Sequence, residues 1–256
     1  MLTSLIRHAQ SLLPSSCNVC HAWGQQAVCR DCLLTFTPVK TRCTTCALPL
    51  VSTDVFAASG QTQAMRCGSC LTLGSHLDAC YAAVDYAYPW HRLIQRFKYS
   101  DGGDLRAQPA LANSMALVTQ HVAQRDASLM QGLQEASQSD WIVPVALHPD
   151  RQRERGFNQA LSLAKALFSK HPRIRSDLLL RIKNTAIQAD LPRDTRVGNL
   201  RAAFIASPLN AAQLRGAHIT LVDDVTTTTA TLSAAAQALR QAGAKRVNAL
   251  VFARTV

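Results

Sequence analysis

Aromatic side chains are scarce in this 256-residue chain, at 5% of the residues, and Asp and Glu are outnumbered 16 to 27 by Lys and Arg. No stretch runs to eighteen uninterrupted apolar residues. Each shortage excludes something. Without a long apolar run, no segment reads as a membrane-spanning helix. Residues 1–16 place Leu2, Leu5, Ile6, Leu12 and Leu13 at roughly helical spacing, but Arg7, His8 and Gln10 interrupt the apolar region that a signal peptide needs. That segment therefore reads as a helix packed on its own domain, and the chain as a cytoplasmic protein. An amphipathic membrane anchor is the alternative for the same helix. Few aromatics argue against an extended base-stacking platform. The shortage of acids leaves a net charge of +11, and the excess is concentrated: residues 151–201 hold 12 Lys or Arg against 4 Asp or Glu. Such a face suits a polyanion, either a small one with several phosphates or a nucleic-acid backbone, whereas a solvated face of a basic protein is the plainer reading. With 48% apolar and 17% charged residues, the chain has the balance of a globular protein, long enough for one α/β domain and a small extra module.

Cysteine is the residue in surplus. Eight of nine fall in four C-x-x-C pairs: Cys17 and Cys20, Cys29 and Cys32, Cys43 and Cys46, Cys67 and Cys70. A two-residue gap lets both thiolates of one tight turn reach a tetrahedral ion, and two such turns complete a four-cysteine zinc site. Eight thiolates make two structural zinc sites, in a segment too short and polar to fold without them. Sequential assignment gives the first four cysteines to one ion and the last four to the other; an interleaved arrangement is the alternative. Redox-active C-x-x-C is the rival reading, but four copies lack a thioredoxin-like βαβ context, and nothing marks the chain as secreted and disulfide-bonded. A complete thiolate set leaves His21 and His76 no coordinating role. Cys80, unpaired, reads as a small buried hydrophobe.

Beyond residue 78, strand and helix patterns alternate. Residues 81–88 read as a strand ended by Pro89, residues 90–99 as a helix carrying Lys98 and Tyr99 near its end, and Asp101, Gly102 and Gly103 as its break. A helix over 104–124, a polar linker at 135–140 and a short buried strand at 141–147 follow. Arg151, Arg153 and Arg155 then alternate ahead of Gly156, and Phe157 opens a helix to about residue 170. Guanidinium groups just before a helix suit paired bonds to phosphate oxygens; an ordinary basic loop is the alternative. A strand at 217–223, a helix at 229–242 stopped by Gly243, and a strand at 246–252 close the chain. This alternation predicts a mostly parallel sheet with helices on both faces and ligands at the carboxyl ends of its strands.

The most informative stretch is residues 219–232, ITLVDDVTTTTATL. An apolar strand leads into Asp223 and Asp224, then a hydroxyl-rich turn, then an alanine-rich helix. The unpaired first amides of that helix and its partly positive end suit a phosphate, and Thr227, Thr228 and Thr231 add hydroxyl donors. Asp223 and Asp224 suit hydrogen bonds from sugar hydroxyls or a hydrated Mg²⁺. Together they point to a sugar phosphate. A strand whose acidic end merely caps the next helix is the alternative.

The stretch resembles the phosphoribosyl-pyrophosphate (PRPP) loop of type I phosphoribosyltransferases: an apolar strand, two acids, an apolar residue, any residue, then T-T-G-x-T. The resemblance implies that Asp223 and Asp224 contact the ribose hydroxyls, as the catalytic pair, while Val225, Thr226, Thr227, Thr228, Thr229, Ala230 and Thr231 wrap the 5′-phosphate of PRPP with Mg²⁺. One position departs from it. Thr229 stands where the family has glycine, and a β-branched residue disfavours positive φ and blocks close backbone approach. That bears on catalysis more than on phosphate binding.

Further motifs narrow the resemblance to the ComF (competence protein F) branch. V-P-V at 143–145 followed by R-x-R-G-F-N-Q-A is similar to that branch, as are F-K-Y at 97–99 and the segment 181–204 at Thr185, Gln188, Leu191, Arg196, Asn199, Ala203 and Phe204. The cysteine module looks like its double zinc ribbon, so the likeness covers nearly the whole chain. It implies an N-terminal helix at 1–16, a double zinc ribbon at 17–78 and a type I phosphoribosyltransferase-like α/β domain at 79–256. It also implies that Arg151, Arg153, Arg155, Asn158, Gln159, Arg196 and Lys98 contact pyrophosphate or nucleic acid. Two functions are expected from different classes. One is a role in DNA uptake or utilisation, as in bacterial transformation, with single-stranded DNA and a DNA-uptake helicase or channel protein as partners. The other is an active phosphoribosyltransferase of nucleotide salvage using Mg²⁺·PRPP.

Overall fold

Apolar strands followed by amphipathic helices build the second part of this chain, and the order in which those strands associate decides which loops meet. The computed structural model describes residues 15–50, 65–99, 108–169, 171–183 and 203–256. Four strands form one parallel sheet: β3 (Ala79–Asp85), β4 (Trp141–Pro144), β7 (His218–Thr226) and β8 (Arg246–Arg254), in the order β3-β8-β7-β4. Parallel strands need crossover connections, and the helices that supply them cover both faces. On one face, α3 (Trp90–Lys98), α4 (Gln108–Ala123), α5 (Ala127–Gln138) and α7 (Gln159–Leu167) bury Trp90, Leu93, Ile94, Phe97, Met115 and Leu163. On the other, α8 (Ala230–Gln241) buries Leu232, Ala235, Ala236 and Leu239 beside a small antiparallel pair, β5 (Leu179–Arg181) with β6 (Phe204–Ala206). A short helix α6 (Pro149–Arg155) follows β4. The expected α/β architecture is therefore present.

The cysteine-rich part is built twice from one local plan. Short strands β1 (Ser15–Ser16) and β2 (Trp23–Gly24) flank the first turn, and an isolated bridge between Arg42 and Pro49 flanks the second. In each turn the first cysteine's amide donates five residues ahead, Cys17 to Ala22 and Cys43 to Leu48, at 2.9 and 2.8 Å. The residue after the second cysteine, His21 or Ala47, has positive φ, 62° and 57°. The third cysteine of each set precedes a short helix, Cys29 before α1 (Arg30–Phe36) and Cys67 before α2 (Gly68–Leu73). Cys17, Cys32 and Leu33 pack into the same apolar cluster as α3 and α4.

Several sequence expectations change. The polar linker at 135–140 is instead the end of α5, which Asp126 starts by accepting from the amides of Ser128 and Leu129 at 2.9 and 3.1 Å. Its apolar stripe is short because Gly132 lies where a Cβ would stand 2.4 Å from the Tyr81 ring, while Glu135 is bonded by Tyr81 and Asn248 at 3.1 and 2.7 Å. Polar letters here fasten a helix to the sheet. The strand read at 81–88 begins at Ala79 and ends at Asp85, and both its faces are covered. The helix read from Phe157 begins at Gln159, because the Asn158 side chain caps it by accepting from the Leu161 amide at 3.2 Å. The helix read over 104–124 is seen from Gln108 to Ala123. The last-but-one strand continues past 223 to Thr226, so both aspartates lie within it. Ser15 and Ser16 are strand rather than helix; the remainder of the expected N-terminal helix, the break at 101–103, and Arg196 with most of the 181–204 motif lie outside the described residues. Among the described residues no helix is long and apolar enough to cross a membrane.

Candidate functional site

The two thiol clusters are drawn from local stretches of chain. The Sγ atoms of Cys17, Cys20, Cys29 and Cys32 lie within 4.8 Å of one another, and so do those of Cys43, Cys46, Cys67 and Cys70. The grouping is the sequential one. A tetrahedral ion with Zn–S bonds of about 2.3 Å sets its sulfurs about 3.8 Å apart; Cys20 and Cys29 are 3.6 Å apart, as are Cys46 and Cys67. Amides already point at sulfur: Val19 and Cys29 donate to Cys17 Sγ at 3.4 and 3.3 Å, and Cys67 donates to Cys43 Sγ at 3.3 Å. Burial would raise the Cys17 thiol, but the Cys20, Cys29 and Val19 amides hold it down at about 6. Cys43 is held at about 4, chiefly by its bond with Cys46, whose own proton is held above the ordinary range in return. Four thiolates in such a space repel, so full ionisation calls for a dication. The donor set fits two structural zinc ions. Cys80 is buried outside both clusters, its thiol pushed up to about 12 by burial.

The second site lies at the carboxyl edge of the sheet, where β7 runs into α8. Successive side chains of a strand take opposite faces. Asp224 turns toward α3 and forms an ion pair with Lys98, Oδ2 to Nζ at 3.1 Å, with the carboxylate 6% and the ammonium 24% exposed. Burial alone would lower the Lys98 ammonium, yet Asp224 and then Asp223 hold it above its ordinary range. Asp223 keeps one oxygen on the Asp224 amide at 2.8 Å. Burial, with the charge of Asp224 added, pushes Asp223 up to about 7, Lys98 opposing. Asp223 can therefore exchange a proton for a nearby positive charge.

Three guanidinium groups share this edge. Helix α6 starts at His148, whose ring accepts from the Asp150 amide at 3.3 Å, and it ends at Gly156, whose φ of 75° needs glycine there. Being helical, it places Arg151 and Arg155 on one face, four residues apart, and Arg153 on another. Arg153 pairs with Asp150 at 2.5 Å and is largely exposed. Alternation in the sequence suggested three equivalent arginines; the helix selects two. Arg155 donates to Gln159 Oε1 at 3.2 Å and to Tyr99 Oη at 3.4 Å. Asn158, besides capping α7, donates to the Val145 carbonyl at 3.1 Å and so shapes the loop after β4. Gln159 is buried, with no partner for its Nε2 among the described residues.

Arg181, not singled out from the sequence, completes the group. It ends β5 over the Phe204 ring, 5.4 Å from its centre, and burial pushes it below the ordinary arginine range, with Asp223 opposing and Arg151 and Arg155 adding to the push. An arginine closing the apolar run at 178–180 was the available signal. Arg254 was also missed. It is buried at the end of β8, where Nε donates to the Cys46 carbonyl at 2.9 Å and a terminal nitrogen to the carbonyls of Thr227 and Thr255. One side chain thereby joins the second thiol cluster to the hydroxyl-rich loop.

The loop from Thr227 to Thr231 bends sharply before α8. Thr229 is the residue before the helix and has φ 57°, ψ 2°. It adopts the left-handed conformation that glycine takes without strain, a conformation costing a β-branched residue about 1–3 kcal/mol. Its hydroxyl donates to the Thr228 carbonyl at 2.6 Å, and its carbonyl accepts from the Ser233 amide at 2.7 Å. Helix α8 starts at the end of β7 that carries the carboxylates, and its first amide, that of Ala230, donates to the Thr228 hydroxyl at 3.4 Å; the amides of a helix's first turn are donors suited to an anion.

No protein-family model matches the chain. Among curated proteins, DNA utilization protein YhgH of Escherichia coli (strain K12) is 30% identical over 248 residues, covering 95% of this chain and 99% of the relative. Competence protein F of Haemophilus influenzae is 32% identical over 197 residues, covering 76% of this chain and 80% of the relative. Competence protein ComFC of Bacillus subtilis is 38% identical over 104 residues, 40% of this chain and 39% of the relative. Those alignments, the paired four-cysteine clusters and the parallel sheet lead to one conclusion: the chain belongs to the ComF (competence protein F) family.

Proposed function

We propose that this protein handles DNA during its uptake or utilisation, binding strand phosphates at the basic edge of the sheet. The observation that carries the reading is the convergence of Lys98, Arg151, Arg155 and Arg181 around the β7 carboxylates. Relatives aligned over most of the chain are named for DNA utilization and competence, which supports it. Residues 17–78 act as a double zinc ribbon that shapes the adjoining edge, and residues 79–256 act as the phosphate-binding domain. Eight thiols kept as metal ligands suit a reducing cytoplasm. Titration of fluorescently labelled single-stranded DNA at rising salt tests the reading. Binding that weakens with salt, and weakens further in the Arg151→Ala, Arg155→Ala double variant, is expected; equal affinity in the variant counts against this site.

A phosphoribosyltransferase activity is the second reading, favoured by the conformation of Thr229, whose positive φ is one that a glycine at that position would take freely. Asp223 and Asp224 would accept from the ribose hydroxyls of PRPP and hold a hydrated Mg²⁺, which would supply positive charge against the pyrophosphate, while the threonine hydroxyls and α8 amides would donate to the 5′-phosphate. An acceptor nitrogen forms the bond to ribose C1 as the C1–O bond breaks; pyrophosphate leaves with the electron pair, met by Arg151, Arg155 and Arg181, and the acceptor gives up its proton. Calorimetric titration of Mg²⁺·PRPP into the zinc-loaded protein, beside the Asp223→Ala, Asp224→Ala double variant, separates the readings. Saturable heat lost in the variant supports it, and no heat in either protein removes it.

A further inference from the structure

Helix α3 presents to solvent a face that neither the sheet nor the carboxylate site uses. Its inner face is closed by Trp90, Leu93, Ile94 and Phe97, all buried. Its outer face carries Arg92 and Arg96, one turn apart, and the helix WHRLIQRFK contains no acidic residue. A tyrosine stands at each end. Tyr88, just before the helix, is 56% exposed; Tyr99, just after it, is 57% exposed. Both rings are held by cations rather than buried: Arg92 lies 5.3 Å from the centre of Tyr88, and Arg155 lies 5.4 Å from that of Tyr99. Phe36 meets the Tyr88 ring edge-on at 5.6 Å, and His91 lies 6.3 Å away. Asp85, the acid at the end of β3, is already neutralised by Lys40 and Arg42 at 2.5 and 2.8 Å. Arg96 reaches the Asn18 carbonyl at 3.1 Å, tying the stripe to the first thiol turn.

We propose that this stripe of tyrosine, arginine, arginine and tyrosine is a binding surface for single-stranded nucleic acid, the two rings stacking bases while Arg92 and Arg96 neutralise the intervening phosphates. The inference rests on the DNA-handling reading above and deepens it by giving the strand a path. Exposed rings pinned by guanidinium groups offer a pre-ordered stacking surface without the cost of immobilising them on binding, and a face of one charge sign complements a phosphate backbone. The path ends at Arg155, so a strand lying on α3 is delivered to the Arg151, Arg155 and Arg181 group. Aromatic scarcity in the chain as a whole does not oppose this, because two bases need only two rings.

The test is fluorescence anisotropy of labelled oligothymidylate on the zinc-loaded full chain, with an abasic oligodeoxyribose-phosphate of equal length as control. Tyr88→Ala should weaken the oligothymidylate about 5- to 150-fold, the range for losing one stacked base, and leave the abasic strand unchanged. Tyr88→Trp should restore affinity. Arg92→Ala with Arg96→Ala should reduce the slope of log affinity against log salt by about 1.4, two single-strand phosphate contacts. If Tyr88→Ala and Tyr99→Ala bind oligothymidylate as tightly as the unaltered protein while Arg151→Ala, Arg155→Ala still weakens it, the stripe is not the path although the DNA reading stands; its surface would then suit an acidic protein partner. Failure of the unaltered protein to bind any single strand overturns both.

Discussion

Replacing Asp223 by Asn should stabilise the protein at neutral pH, and the size of the gain follows from where the carboxyl sits. Burial and the charge of Asp224 raise it from the ordinary 3.8 to about 7. Between those values the folded protein holds a proton that the unfolded chain has released. Stability therefore falls as pH rises through this window, by 1.36 kcal/mol for each pH unit of difference. The full penalty is about 4 kcal/mol above pH 7, and it vanishes below pH 4. Asparagine is nearly isosteric, its oxygen can still accept from the Asp224 amide, and it carries no charge, so the variant escapes the penalty. Urea unfolding of both proteins at pH 5 and pH 8 measures this, and the comparison at each pH cancels the common effect of proton competition at the thiol clusters. The gain in the variant should be about 2 kcal/mol or more larger at pH 8 than at pH 5. A gain independent of pH, or none, would refute the argument that Asp223 is a half-buried acid under repulsion from Asp224. The same linkage requires that a dication binding the pair release a proton near pH 7, which titration in buffers of different ionisation enthalpy detects.

Thr229→Gly should stabilise the fold by about 1 kcal/mol, since the φ of 57° is kept and the β-branch removed; a loss on chemical denaturation would mean that the Thr229 hydroxyl bond outweighs the strain. Gly132→Ala should cost about 1–3 kcal/mol, because its Cβ would stand 2.4 Å from the Tyr81 ring, and a melting temperature equal to that of the unaltered protein contradicts the packing of α5. Cys43→Ser should lower bound zinc from two ions to one, read by a chromogenic chelator. Because Arg254 links the Cys46 carbonyl to that of Thr227, amide exchange in the Thr227–Thr231 turn should rise in the same variant. Unchanged exchange there, with the ion lost, would break that link.

The spacing of Cys17, Cys20, Cys29 and Cys32, and of the second set, was readable without a structure because a metal turn is local: a few residues decide both the bend and the ligands. The same holds for β7, the Thr227–Thr231 turn and α8, where a strand, a break and an apolar period follow one another along the chain. Alternating patterns likewise announced an α/β fold with a parallel sheet. Glu135 misled because a polar helix end and a linker look alike until the partners, Tyr81 and Asn248, are in place.

Tertiary structure alone decided which charges meet. Lys98 and Asp224 lie far apart in the chain and come together because the sheet order β3-β8-β7-β4 brings the end of α3 over β7. Helical geometry in α6 sent Arg151 and Arg155 to one face and Arg153 to Asp150, a distinction that the alternating letters concealed. Arg181 closes an apolar run and Arg254 ends a strand, but both acquire their neighbours only through β5 and β8, so the letters around them do not say what they meet. Local chemistry is written in spacing, whereas the electrostatics of a site depend on distances that only the packed sheet defines.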